Sequence, residues 1–205
     1  MLLLLEKNSI NIYELNGAMQ QFQHDPVFDT FFSPYFVQPF YYVSRTLINE
    51  SKFDQAAELL LYEDFLQLPE KEEGFKAIRM FFDEQIRTLK NLSPVTYQQG
   101  QQKIDNWIYA PWRNFLNALP EEFEPDKIEL VFHLVNATVI FQKPNRHLAK
   151  SIAFELAEVK GIPNDLMKTI NNNRKAFSQS TSSSSGNYGW MIWAGIILVK
   201  LISGC

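Results

Sequence analysis

An all-α body of about seven helices, followed by a flexible serine-rich linker and a C-terminal apolar helix, is the fold class this sequence predicts. Prolines stand where helices start, apolar residues recur at helical spacing, and the composition changes abruptly at Ser178. On these grounds residues 1–177 form an all-α globular domain, 178–189 a flexible linker and 190–205 a candidate membrane anchor. With 46% apolar and 14% aromatic residues in 205, the chain has ample material for one well-buried core.

In chain order, the opening MLLLLE has only four leucines and no preceding basic residue, too short for a signal peptide. It reads as a terminal strand or helical turn on the core. Asp25-Pro26, Ser33-Pro34, Gln38-Pro39 and Ser93-Pro94 each put a polar residue before a proline whose fixed φ suits the first helical position, so each predicts a helix start. From Phe53 to Leu68 apolar residues fall at Phe53, Ala56, Ala57, Leu60, Leu61, Phe65 and Leu68, the stripe of one amphipathic helix. Phe75, Ile78, Phe82, Ile86 and Leu89 repeat the pattern, as do Ile152, Leu156 and Val159. Ile128 to Phe141 is apolar nearly all round; Pro125 and Asp126 supply a start and Lys143-Pro144 a stop, which favours a buried central helix over paired strands. Gly161 followed by Pro163 is the signature of one helix ending and another beginning.

Phe40, Val43, Ser44, Leu47, Ala56 and Leu60 sit at the large-and-small spacing of a helical hairpin that resembles a single tetratricopeptide unit. The resemblance covers about 30 residues of 205, and Pro69 lies one place beyond the closing proline of the pattern. It implies an antiparallel helix pair of the kind used in α-solenoid adaptors, and a possible solenoid-like continuation. One 34-residue period further on stand Gly74, Ala77 and Lys90, without a second hairpin.

The chemistry-bearing residues are sparse. Before the linker stand 18 basic against 23 acidic residues, a net charge of −5, which argues against nucleic acid as a partner because counterion release needs clustered Lys and Arg. The one cysteine, Cys205, cannot form an internal disulfide or a zinc site, and no phosphate-binding glycine loop or nucleophile elbow is present. No cofactor, metal or catalytic residue is expected. The histidines are His24, His133 and His147; Glu129 and His133, four apart on a predicted helix, share a face and form the one acid–base couple. A histidine satisfied by a neighbouring carboxylate is the plain reading; a pocket around Glu129, His133 and His147 in a helical enzyme or ligand-binding protein is the alternative.

Two features point to partners instead. Eight of the fifteen residues from Phe28 to Tyr42 are Phe or Tyr, interrupted by Pro34 and Pro39. If the prolines prevent one helix from hiding all these rings, Phe28, Phe31, Phe32, Tyr35, Phe36 and Tyr41 line a groove for a partner; otherwise they form a core corner. Trp107, Tyr109 and Trp112 make a smaller cluster of the same kind. The second feature is the apolar tail. Tyr188, Trp190 and Trp193 make an interfacial belt, followed by Ile196, Ile197, Leu198, Val199 and then Lys200. Tyr188 to Cys205 is 18 residues, about 27 Å as a helix against a hydrocarbon core of about 30 Å. Its Ile, Leu and Val residues contribute roughly −2 to −4 kcal/mol of insertion free energy and Lys200 opposes with about +2.5 to +3.5, unless its stem carries the ammonium to the headgroups. Lys168, Arg174 and Lys175 before the linker place the body on the cytoplasmic side, as in a single-pass, tail-anchored protein. The expectation is a membrane-tethered helical interaction or adaptor module with lipid and protein partners; a subunit docking to a larger assembly through its tail is a further alternative.

Overall fold

The computed structural model describes residues 26–179 except 94, 106 and 107. Among the described residues there are nine α-helices and no strand, so the all-α expectation holds and the helices are more numerous than the seven expected. They are α1 (Pro26–Asn49), α2 (Phe53–Leu60), α3 (Leu68–Gly74), α4 (Lys76–Lys90), α5 (Tyr97–Asp105), α6 (Ala110–Ala118), α7 (Glu124–Phe141), α8 (Arg146–Leu156) and α9 (Asn164–Gln179), with short 3₁₀ turns at Glu63–Phe65 and Glu121–Phe123. Residues 180–205, including the anchor candidates Tyr188, Trp190, Trp193, Ile196, Ile197, Leu198, Val199 and Lys200, lie outside the described residues, as does Trp107. The chain divides into two compact units, one of described residues 26–85 and 114–123, the other of 86–113 and 124–179.

The first unit is organised by α1. The expectation that Pro34 and Pro39 begin new helices is corrected: both lie inside one 24-residue helix. An interior proline costs about 3 kcal/mol or more. Against that, Phe32, Phe36, Val37, Phe40, Leu47 and Ile48 of the same helix are buried, at about 1.5–3 kcal/mol each. The burial wins. The N–H groups that Pro34 and Pro39 lack would have bonded back to Thr30 and Tyr35, both exposed positions where solvent reaches the helix.

Phe28, Phe32, Phe36 and Phe40 recur every four residues, and other parts of the unit pack onto that ladder. The Phe65 ring stands edge-on to Phe28, Phe32 and Phe36 with centroids at 6.0, 6.1 and 6.0 Å. Phe75 meets Phe40 at 5.6 Å and Phe123 at 5.3 Å, and Phe53 packs on Phe81 and Phe115. Ser33, buried on the same face, accepts the Gln67 N–H at 2.8 Å and donates to Glu70 at 3.3 Å. That contact explains a second correction. The stripe from Phe53 to Leu68 is not one helix, because α2 ends at Leu60, a 3₁₀ turn inserts Phe65, and α3 restarts with Pro69 in its first turn. Leu61 and Leu68, read as part of the stripe, are 63% and 83% exposed.

The hairpin implied by the tetratricopeptide resemblance is present as the packed pair α1 and α2, with Phe40, Ser44, Leu47, Ala56 and Leu60 buried. Its turn is a Schellman motif. The Lys52 N–H reaches Leu47 O at 2.8 Å and the Ser51 N–H reaches Ile48 O at 3.0 Å, with Ser51 at φ 57°. The pattern does not repeat at the 34-residue period, since Gly74 ends α3 while Ala77 and Lys90 both belong to α4.

In the second unit the near-uniformly apolar segment is the helix α7, as its composition implied, with Leu130, Val131, Leu134, Val135, Ala137 and Phe141 buried. Helix α8 packs on it through Leu148, Ala149 and Ile152, and its start is capped by Asn145, whose Oδ1 accepts the Leu148 N–H at 3.0 Å. Helix α9 adds Ile170 and Phe177, and a buried hydrogen bond from Asn173 to Thr138 Oγ1 at 3.2 Å. Arg113 pairs with Glu155 at 3.0 Å and Arg174 with Glu158 at 3.2 Å. Between α8 and α9, Gly161 adopts φ 72°, and a Cβ there would stand 3.0 Å from the Lys127 Nζ. Lys127 is itself buried, and burial lowers its amine's pKa against the opposing pull of Glu124.

Ser51 and Gly161 thus share a left-handed backbone but not a suitable residue. Ser51→Gly is expected to stabilise the protein by up to about 1 kcal/mol and Gly161→Ala to destabilise it by at least about 1 kcal/mol, checked by thermal or urea unfolding.

Candidate interaction surface

One continuous helix changes what the aromatic segment can do, because phase along it decides each ring's side. Phe32 and Phe36 are buried and Phe28 and Tyr41 half-buried, so four of the six expected groove residues belong wholly or partly to the core. Phe31 and Tyr35 do not. They are 71% and 56% exposed, and Tyr42, which the sequence reading omitted, is 59% exposed. Positions 31, 35 and 42 recur at four and seven, the repeat that keeps residues on one side of a helix, and Val27 extends the stripe by one turn. Phe31, Tyr35 and Tyr42 thus form an exposed aromatic stripe on α1.

The stripe has internal structure. The Phe31 and Tyr35 rings lie 5.8 Å apart, tilted by 44°, and Tyr42 is packed edge-on against Tyr41 at 5.3 Å. Towards the end of α1 it continues as Arg45 and Asn49, which border a cleft of about 170 Å³ together with Ile48, Ala77, Met80, Phe81 and Glu84. Met80 is 53% exposed at that edge. On α1 the face carries Arg45 among hydroxyls, amides and rings, with Glu84 at the adjoining cleft; such a surface recognises apolar side chains and a few hydrogen-bonding groups.

The acid–base couple resolves differently. Lys90 Nζ lies 2.7 Å from Glu129 Oε1, while His133 Nε2 is 3.7 Å from the same oxygen. The Lys90 hydrogen bond holds the Glu129 carboxyl below its usual range against partial burial, with His133 a lesser influence. Burial pushes the His133 imidazole down, and the Lys90 charge adds to that; Glu129 opposes both. His147 is exposed at the start of α8. No group of three His, Cys, Asp or Glu among the described residues is placed to hold a metal ion. The geometry is that of a surface ion pair with a half-buried histidine beside it. Trp112, from the smaller aromatic cluster, is fully buried and Tyr109 half-buried, so these rings serve the core. A wide polar cleft of about 520 Å³ is lined by Tyr97, Gln98, Gln101, Gln102, Asp105 and Pro144.

No family model, no curated protein and no solved structure matches this chain. The residues themselves therefore carry the functional reading.

Two predictions test this division of the molecule. Phe65→Ala is expected to cost about 3–5 kcal/mol in chemical unfolding, whereas Phe31→Ala on the outer side of α1 stays within about 0.5 kcal/mol. In the second unit, a lowered carboxylate and a lowered imidazole both bind fewer protons folded than unfolded. Their stabilisation is present at neutral pH and lost on acidification, first just below the ordinary histidine value of 6.5 and then below the ordinary glutamate value of 4.5. Lys90→Met is expected to raise the His133 pKa and Glu129→Gln to lower it further, read by NMR titration of the imidazole.

Proposed function

We propose that this protein is a membrane-tethered helical interaction module that presents the Phe31–Tyr35–Tyr42 stripe to a helical partner. The observation that carries the interaction half is the exposure of three aromatic rings in one helical phase on α1. Three rings exposed in one row, with one cation beside them, fit the apolar side of an amphipathic helix better than they fit a polar substrate. Their core-facing neighbours, locked by Phe65 and Phe75, make the helix that bears them rigid, so a partner meets a preformed surface.

The tether half rests on the composition of 178–205. No helix among the described residues is long and apolar enough to cross a membrane. Residues 190–205 are the membrane-associating segment in this reading, joined to the body through the serine-rich stretch 178–189. Of the cations ahead of the spacer, Arg174 is engaged by Glu158, while Lys168 and Lys175 remain exposed charges that favour the cytoplasmic side. In this reading the Glu129 carboxylate serves as a surface ion pair, held by Lys90 at 2.7 Å with His133 3.7 Å from the same oxygen.

Flotation with phosphatidylcholine vesicles tests the tether. The full chain is expected to rise with the lipid and the chain lacking 180–205 to remain below, while Lys200→Leu strengthens insertion by about 3 kcal/mol. A full chain that stays with the soluble fraction, unchanged by the deletion, overturns the tether; vesicle-independent co-purification with one protein would assign the tail to a larger assembly.

A further inference from the structure

The outer side of α1 complements itself when one copy is turned end for end against another. We propose that the partner of the stripe is a second copy of this chain, with the two α1 helices packed antiparallel about a two-fold axis level with residue 40. This rests on reading the stripe as an interaction surface, and it is independent of membrane attachment.

Spacing, charge and area each bear on this occupant. Phe31, Tyr35, Gln38, Tyr42, Arg45 and Asn49 are all exposed and stand four, three, four, three and four residues apart, the alternation by which one helix forms a seam with another. Charge then sets the direction. A parallel pair would bring Arg45 against the partner's Arg45, a like-charge contact that works against association. The antiparallel pair instead lays Arg45 over the partner's Tyr35 ring as a cation–π contact and sets the Gln38 amide beside the partner's Tyr42 hydroxyl. Phe31 comes level with the partner's Asn49. That residue borders the cleft of about 170 Å³ between α1 and α4, to which Ile48, Ala77 and Met80 give an apolar lining. An apolar cavity of about 150 Å³ holds a benzene molecule, so the cleft has room for one phenyl ring. Ring and cleft lie on one face on either side of residue 40, and the two-fold uses each of them twice. The area suits a reversible dimer. Aromatic side chains of about 150–250 Å² each, exposed by 71, 56 and 59%, offer roughly 300–450 Å² per copy, or roughly 600–900 Å² over both. Gln38, Arg45, Asn49 and Met80 carry the total past the roughly 1,000 Å² at which a specific contact begins.

Cross-linking between full chains tests the register. In a Cys205→Ser background, a chain with Tyr35→Cys is mixed with a chain with Arg45→Cys and oxidised. The mixed disulfide is expected to form at least about fivefold faster than either homodisulfide, since like positions are offset by about 15 Å along the seam and a disulfide tolerates Cα separations up to about 7 Å. Homodisulfides that form as fast as the mixed one, or no disulfide at all, overturn the proposal. Sedimentation of the full chain in a non-ionic detergent is the second measurement. A reversible dimer is expected, and Phe31→Asp should raise its Kd at least about tenfold while leaving chemical unfolding unchanged, because that side chain is exposed. A monomer at about 100 μM, or a dimer indifferent to Phe31→Asp, overturns the proposal. Nitration tells the two possible failures apart. A monomer whose Tyr35 and Tyr42 react freely ends the second copy alone and keeps the stripe as a surface for another protein's helix; a monomer in which both are shielded removes the stripe reading as well. Deleting 180–205 should leave the cross-linking as it is, so failure of the tether is seen separately.

Discussion

The ladder of Phe28, Phe32, Phe36 and Phe40 is the constraint on which the first unit depends. Four rings at one-turn spacing define the inner side of α1, and Phe65 is wedged edge-on against three of them. That fixes the rotation of the helix about its own axis. Once the rotation is fixed, Ser33 is brought to the Gln67 amide and α3 begins there, while Phe31, Tyr35 and Tyr42 are left on the other side. The outer aromatic stripe is a geometric by-product of the inner one only in its position; its apolar character is a separate property of the residues. A helix built to be solvated would carry charged groups there instead.

The two units use polar groups in different ways. In the first, Ser33 and the Schellman turn at Ser51 satisfy backbone groups where helices begin and end. In the second, polar contacts run between elements: Arg113 to Glu155, Asn173 to Thr138, and Lys90 to Glu129. The last of these neutralises the couple that would otherwise be the best acid–base candidate. A carboxylate already hydrogen-bonded to a lysine has that oxygen engaged, whereas a general base needs a lone pair aimed at a substrate.

Much of the architecture was legible in the sequence where one physical signal dominated. The buried helix α7 follows from its uniform apolarity with a proline and an acid at its start, and the break at Gly161 follows from the left-handed backbone that glycine accepts. Reading failed where local preference and tertiary packing disagreed. Pro34 and Pro39 signal helix starts by every local rule, and the burial along α1 overrides them. The stripe from Phe53 to Leu68 has helical spacing, yet a hydroxyl 34 residues away captures the Gln67 amide and breaks it. The expected groove inherited the first error. With two false breaks the six rings have no common phase, and with none they separate into four that face or border the core and two that face outward, joined by Tyr42.

A helix with rings on both sides is unusually sensitive to insertions and deletions. Each added residue rotates everything after it by about 100° relative to everything before. One extra residue just before Tyr35 would turn Tyr35 into the buried position of Phe36 and shift Phe36 and Phe40 off the line that meets Phe65 and Phe75, and apolar composition would be unchanged. A gain of seven would restore both sides and lengthen the stripe by two turns. Length variation in this helix is therefore expected in near-whole turns, whereas the loops that flank it are free of that arithmetic.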